Sequence, residues 1–302
     1  MARLGLVVNG RADGGRAGRT GPLVRTALRA RGHEVLEVDL PDPPGVAALP
    51  PGLDALVAVG GDGTVHRAVA AVAGTGLALG VVACGSGDDV ARALGLPRHD
   101  VGAAVDRLDA ALGAPARRVD LLAVGVGGAE VLCAAVVSCG VDAAVNARAD
   151  GVRWPRGTAR YVRALAGELR AFRPYGLRVV LEGPDGRRLV HRGPATLLAV
   201  AGTATFGGGL PIAPGADAAD GLADVVLAGS LSRLGVLRIL PALARGRHLR
   251  HPAVGVRRAV RVLVEADPSA GAPAPVAYGD GERLGPLPLT VQVVPGALRV
   301  LA

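Results

Sequence analysis

Two short stretches of this chain set a carboxylate among glycines directly after a run of β-forming residues. "LVAVGGDGTVHRAVA" (Leu56–Ala70) is the first and "VVACGSGDDVARALGLP" (Val81–Pro97) the second. Glycines let backbone N–H groups approach phosphate oxygens, and a helix that follows adds its N-terminal dipole. A carboxylate in the same loop would repel a bare phosphate. It makes sense where it holds phosphate-associated Mg²⁺, a hydroxyl or a ribose. Each stretch taken alone is equally well a tight strand-to-helix turn whose Asp caps the helix. Two such turns at successive strand ends lie side by side, at the edge of an α/β sheet where ligands bind. Together they can wall one nucleotide site, with Asp62 and Asp89 for metal or ordered water. Two later stretches also hold carboxylates: "ADGLAD" (Ala219–Asp224) reads as a turn before a strand and "YGDGERLG" (Tyr278–Gly285) as a hairpin turn. His248 and His251 are three apart, but no third metal ligand stands near them in the sequence.

The elements that position these turns follow from hydrophobic periodicity. Buried strands are expected at Leu4–Val8, Glu34–Leu40, Asp54–Val59 and Leu77–Val82, with helices at Pro22–Arg31, Val65–Ala73, Asp89–Leu94 and Val101–Ala111. Alternation of this kind predicts a parallel sheet with helices on both faces. After about Asp120 short strands recur: Asp120–Val126, Glu130–Ser138, Gly176–Leu181, Leu189–Arg192, Thr196–Ala201, Leu222–Leu227, Ala259–Glu265, Pro275–Tyr278, Leu289–Val294 and Ala297–Leu301. With helices near Ala159–Phe172 and Ser232–Ala244, this half reads as a mostly β, sandwich-like domain. The expected division is an α/β nucleotide-binding domain over 1–120 and a β-sandwich substrate domain over 121–287, with strands at about 288–302 packing back onto the first domain.

Composition narrows the chemistry. All 34 residues counted as Lys or Arg are arginine. Without lysine there is no P-loop, no protein-kinase strand lysine and no pyridoxal-phosphate Schiff base. The formal charge of +8 favours anionic partners: nucleotide phosphates or an anionic membrane surface. Aromatic residues are too scarce for nucleic acid to be an expected partner. Cys84, Cys133 and Cys139 have no metal or redox spacing and read as reduced core thiols of the cytosol. "MARLGLVVNG" reads as a first strand, not a signal peptide, and no transmembrane helix is expected.

In order along the chain, "GGDGT", "GSGDDVARALGLP", "SCGVDAAV", "FGGGLPIAPGADAADGLADVV" and "GDGE" resemble the motif series of the diacylglycerol kinase catalytic-domain family, whose bacterial soluble lipid kinases are related to sphingosine kinases and NAD kinases. The resemblance covers essentially the whole chain. It implies the α/β-plus-sandwich fold, ATP and Mg²⁺ as cofactors, and transfer of the γ-phosphate to the hydroxyl of diacylglycerol or a similar lipid. It implies nucleotide binding by Asn9, Gly60, Gly61, Asp62, Gly63, Thr64, Gly85 and Ser86. It further implies a structural Mg²⁺ held by Asp220 and the Leu222 carbonyl, with Asp62, Asp89 and Asp120 in a network around it. Asp280 matches the family's general base, with Glu282 beside it.

The chain departs from the family pattern at Gly10 (usually Pro), Arg67 (usually Glu), Asp88 (usually Asn) and Gly202 (near a usual Asn). Those departures keep a non-catalytic nucleotide- or lipid-binding relative open as an alternative, and the shared GGDGT keeps an NAD kinase-like enzyme open. A cytoplasmic protein working at the inner face of the membrane is expected. "LSRLGVLRILPALARGRHLRHP" (Leu231–Pro252) reads either as an interfacial helix or as an amphipathic helix packed on the sandwich. A homodimer is left open.

Overall fold

The computed structural model describes residues 1–9, 16–41, 49–152, 154 and 158–302. Gly10 lies outside the described residues. The first four strands, β1 (Arg3–Val8), β2 (Glu34–Glu37), β3 (Ala55–Gly60) and β4 (Ala78–Ala83), are parallel, in spatial order β2-β1-β3-β4. Every residue of β3 and β4 is buried, as strands covered on both faces must be. In β3, Ala55, Val57 and Val59 face α1 (Arg16–Ala30) and α4 (Val101–Leu112). Leu56 and Ala58 face α2 (Asp62–Val72) and α3 (Asp89–Ala93). The two-residue period of a strand thus divides one short run between two cores.

The α1 helix begins well before the expected Pro22, which lies inside it. Helix and strand approach closely there. A Cβ added to Gly21 would fall 2.8 Å from both γ-methyls of Val8.

The second half is antiparallel. It contains β5 (Arg117–Val126), β6 (Ala129–Cys133), β7 (Val136–Gly140), β8 (Tyr175–Glu182), β9 (Arg188–Ala201), β10 (Ala223–Gly229), β11 (Val254–Ala259), β12 (Arg261–Ala266), β13 (Ala277–Gly279), β14 (Glu282–Gly285) and β15 (Leu289–Val300). Helices α5 (Val141–Asp150), α6 (Thr158–Leu169) and α7 (Arg233–Leu243) interrupt it. Its core is aliphatic, from Leu122, Val124, Val137, Leu198, Val200, Val262, Val264 and Val291 among others. The strand β15 pairs antiparallel with β12 and β5, and its last residues pair parallel with β4 at Arg299–Ala78 and Val300–Leu79.

Three expectations need correction. The single strand expected at Glu130–Ser138 is two, β6 and β7, parted at Ala134–Ala135, whose N–H groups turn to a side chain described below. The two strands expected within 189–201 are one: the β8–β9 ladder runs through Gly193 and Pro194, with Pro194 opposite Gly176. The two strands expected at Leu289–Val294 and Ala297–Leu301 are likewise one, β15, whose pairing with β5 shifts register between Val294 and Leu298. No described helix is long and apolar enough to cross a membrane.

Candidate active site

Because β3 and β4 are neighbours in register, with Gly60 beside Ala83, the two glycine turns leave the same edge of the sheet and touch. A Cβ on Gly85 would lie 2.4 Å from the Gly61 Cα, so the loops meet backbone to backbone. Asp62 does not cap its own helix. Its Oδ1 accepts a hydrogen bond from the Asp89 N–H (2.8 Å), so the first loop's carboxylate caps the helix of the second. Asp88 takes φ 53°, a left-handed conformation Asp tolerates nearly as well as Asn, and its Oδ1 accepts from the Gly85 N–H at 3.0 Å. Burial, then the neighbouring Asp89 and Asp88 charges, push the Asp62 carboxyl up to about 7. The buried Thr64 hydroxyl oxygen has no hydrogen-bond partner. Ser86 is exposed at the loop tip and Asn9 half-buried just past the end of β1. Beside them, Thr20, Ala83, Cys84, His99 and Val101 line a pocket of about 340 Å³.

Asp89 reaches into the second half of the chain. Its carboxylate accepts from the N–H groups of Gly208 (2.9 Å) and Gly209 (2.8 Å) and from the Thr205 hydroxyl (3.3 Å). The "GGG" of 207–209 has φ of 57°, 87° and 98°, the left-handed region glycine takes without strain.

The "GDGE" segment forms the β13–β14 hairpin turn, with Asp280 at φ 51°. The Asp280 carboxylate sits in a nest of amides. Its Oδ2 accepts from Ala134 N–H (2.7 Å), and its Oδ1 from Ala135 (2.8 Å) and Val136 (3.2 Å). Its side chain is only 2% exposed. The break between β6 and β7 exists to make this nest. His66, on the buried face of α2, places Nδ1 3.3 Å from Asp280 Oδ2. Burial alone would lower the His66 imidazole; the hydrogen bond and charge of Asp280 and the charge of Glu282 outweigh it and raise it. Cys133 completes a buried His–Cys–Asp group whose donor atoms lie within 4.8 Å of one another. Burial, then the Asp280 charge, hold the Cys133 thiol well above its ordinary value and so protonated. Glu282 is exposed and lies against the nucleotide loop: a Cβ on Gly63 would be 2.8 Å from its Oε1.

Residues 3–124 match the diacylglycerol kinase catalytic domain, and residues 135–302 the YegS C-terminal NAD kinase beta sandwich-like domain. A protein of Mycobacterium tuberculosis named diacylglycerol kinase is 37% identical over 280 residues, covering 91% of this chain and 86% of that protein. The chain belongs to the diacylglycerol kinase family.

A probable lipid kinase YegS-like of Pseudomonas fluorescens is 33% identical over 256 residues, 84% of this chain and 79% of that protein. The crystal structure of a diacylglycerol kinase from Bacillus anthracis superposes with a TM-score of 0.66 at 16% identity, covering 99% of this chain and 96% of that one. Yeast NADH kinase complexed with NADH gives 0.55 at 11%, covering 99% and 82%. At these identities the superpositions speak to the fold, an α/β domain joined to a β-sandwich.

Against the Mg²⁺ that the resemblance implies, the carboxylates divide. Asp62 fits a cation: it is crowded by two other carboxylates and raised to about 7, which a bound cation would relieve. Asp89 is engaged with the glycine loop. Asp120 accepts from the Gly221 N–H at Oδ2 and from the Gly296 N–H at Oδ1, both at 2.7 Å. Asp220 accepts from the Leu222 N–H at 3.0 Å and is ion-paired with Arg258. Of the departures from the family pattern, Arg67 is half-buried on α2, and Gly202 donates to the Ala135 carbonyl at the back of the amide nest. The residues that sequence reasoning missed are His66, Cys133, Thr205 and Arg258. A polar residue on the apolar face of α2, two places after Thr64, was the available signal for His66.

Proposed function

We propose that the chain is an ATP- and Mg²⁺-dependent lipid kinase that phosphorylates the hydroxyl of diacylglycerol or a similar lipid. The observation that carries this reading is the contact of Glu282 with Gly63, which sets an exposed carboxylate beside the nucleotide loop. In this reading the N–H groups of Gly60, Gly61 and Gly63, with the Thr64 and Ser86 hydroxyls and Asn9, hold the phosphates and ribose, and Gly85, whose own N–H is held by Asp88, leaves room for their approach. The buried, unpartnered Thr64 hydroxyl would have to turn outward to join these donors. Asp62 would hold the Mg²⁺, which supplies charge neutralisation at the transferring phosphoryl group.

The proton of the lipid hydroxyl goes to the Asp280–Glu282 turn as its oxygen takes the phosphoryl group and ADP leaves. Within the turn the roles differ from those the family resemblance implies. Asp280, engaged by three amides and His66, anchors the turn. Glu282, with its exposed carboxylate, receives the proton.

Access from a bilayer is supported by the surface of α7. Leu234 and Leu237 are 60% and 47% exposed there, flanked by Arg233 and Arg238. From 225 to 264 the chain carries eight arginines and no acidic residue. Arg258 is paired with Asp220 and Asp224; apolar side chains among the other arginines suit transient contact with an anionic lipid surface. The test of the whole reading is transfer of labelled phosphate from ATP to diacylglycerol in mixed micelles.

A further inference from the structure

The turn at 220–224 is where the family resemblance sets a structural divalent ion, and its residues do not fit one. Asp220 Oδ1 accepts from the Leu222 N–H at 3.0 Å, while its Oδ2 is bound by Arg258 Nη2. Arg258 lies on β11 directly across from Asp224 on β10. Its Nε is 3.6 Å from Asp224 Oδ1, so one guanidinium spans both carboxylates. Asp120, the third carboxylate at the turn, has both oxygens bound by amides, from Gly221 and from Gly296. A divalent ion would have to displace the guanidinium from Asp220 or sit beside it as a like charge.

We propose that the Arg258 guanidinium is the resident cation of this turn, holding Asp220 and Asp224 together in place of a divalent ion. Guanidinium suits the task. Its planar fork offers separate N–H donors to separate carboxylates. The pairing also joins three parts of the molecule. Arg258 holds the turn to β11, while Asp120 holds the same turn to β5 and, through Gly296, to β15.

The test is thermal unfolding of the full chain, free of nucleotide and lipid, in excess EDTA and in millimolar MgCl₂. This readout uses neither substrate, so its outcome is separate from that of the kinase reading. For the wild type, any Mg²⁺ shift is expected to vanish in Asp62→Asn and to survive Asp220→Asn. Arg258→Met, which keeps the aliphatic stem, is expected to melt about 1–4 °C lower in EDTA. Mg²⁺ is expected to restore it, and Asp220→Asn in the same chain to abolish the restoration. Arg258→Lys keeps the charge and is expected to show no Mg²⁺ response through Asp220, which serves as the measurement should the Met variant fail to fold. The proposal is overturned by a wild-type Mg²⁺ shift that Asp220→Asn removes. It is equally overturned by an Arg258→Met chain that melts like the wild type or is not restored by Mg²⁺, or by an Arg258→Lys chain that responds through Asp220.

Discussion

His66 Nδ1 lies 3.3 Å from Asp280 Oδ2, a contact between residues 214 positions apart in the chain. It ties the helix that leaves the nucleotide loop to the hairpin turn that carries Glu282. The imidazole is raised because Asp280 and Glu282 together outweigh its burial. A His raised in the folded state contributes stability that is full below its ordinary value of 6.5 and fades as pH rises through the folded one. His66→Asn is therefore expected to destabilise the chain most below pH 6.5 and progressively less as pH rises above it, measured by denaturant unfolding across that range. A pH-independent difference would mean that the ion pair is not what the substitution removes.

Asp280→Asn is expected to cost stability as well as activity. An amide has one oxygen to offer where the carboxylate uses two, so at least one of the Ala134–Val136 N–H groups would face the Asn NH₂. Each buried donor so orphaned costs about 1–3 kcal/mol. The denaturation midpoint should fall accordingly, and lost activity in this variant is no proof of a direct proton-transfer role.

Gly85→Ala is expected to disable nucleotide binding. Its Cβ would fall 2.4 Å from the Gly61 Cα, and backbone cannot yield as a flexible side chain can. Equilibrium binding of an ATP analogue should weaken at least about tenfold, roughly the 1.4 kcal/mol that a modest loop displacement removes. Gly255→Ala, on β11 and with nothing within 4 Å of its Cβ, should leave binding unchanged.

Much of this architecture was legible in the sequence, and the misses have physical causes. The βα alternation and both glycine turns could be read because periodicity and turn chemistry are local. The split of Glu130–Ser138 could not, because the donors of Ala134 and Ala135 are drawn out of the ladder by a carboxylate some 146 residues away. In the same way β9 stays one strand through Gly193–Pro194, because its neighbour β8 supplies a continuous template. At the site, residue types were legible and partners were not. Asp62 looked like a cap for the helix it begins and caps the neighbouring one. Asp89 and Asp120, expected in an ion network, are held by backbone amides of distant segments that the sequence did not reveal.

Asp62, raised to about 7, makes cation binding visible as proton release. A carboxyl raised in the folded state holds its proton as pH climbs from the ordinary 3.8, so stability declines over that window and levels off above about 7. Mg²⁺ bound there at pH 7 should expel roughly half a proton. Calorimetry of Mg·ATP binding in buffers of different ionisation enthalpy should register that release, and Asp62→Asn should remove it.

The most direct measurement is labelled phosphate transfer from Mg·ATP to diacylglycerol in mixed micelles, with wild type and Glu282→Gln compared at matched folded protein. Glu282 is exposed, so its substitution should leave the melting midpoint within about 1 °C of wild type. The account predicts transfer by the wild type and a loss of at least about a hundredfold in Glu282→Gln, the scale of a lost general base. Wild-type rates in the variant would contradict the assignment of Glu282, and no transfer by a folded, ATP-binding wild type would contradict the lipid-kinase reading itself.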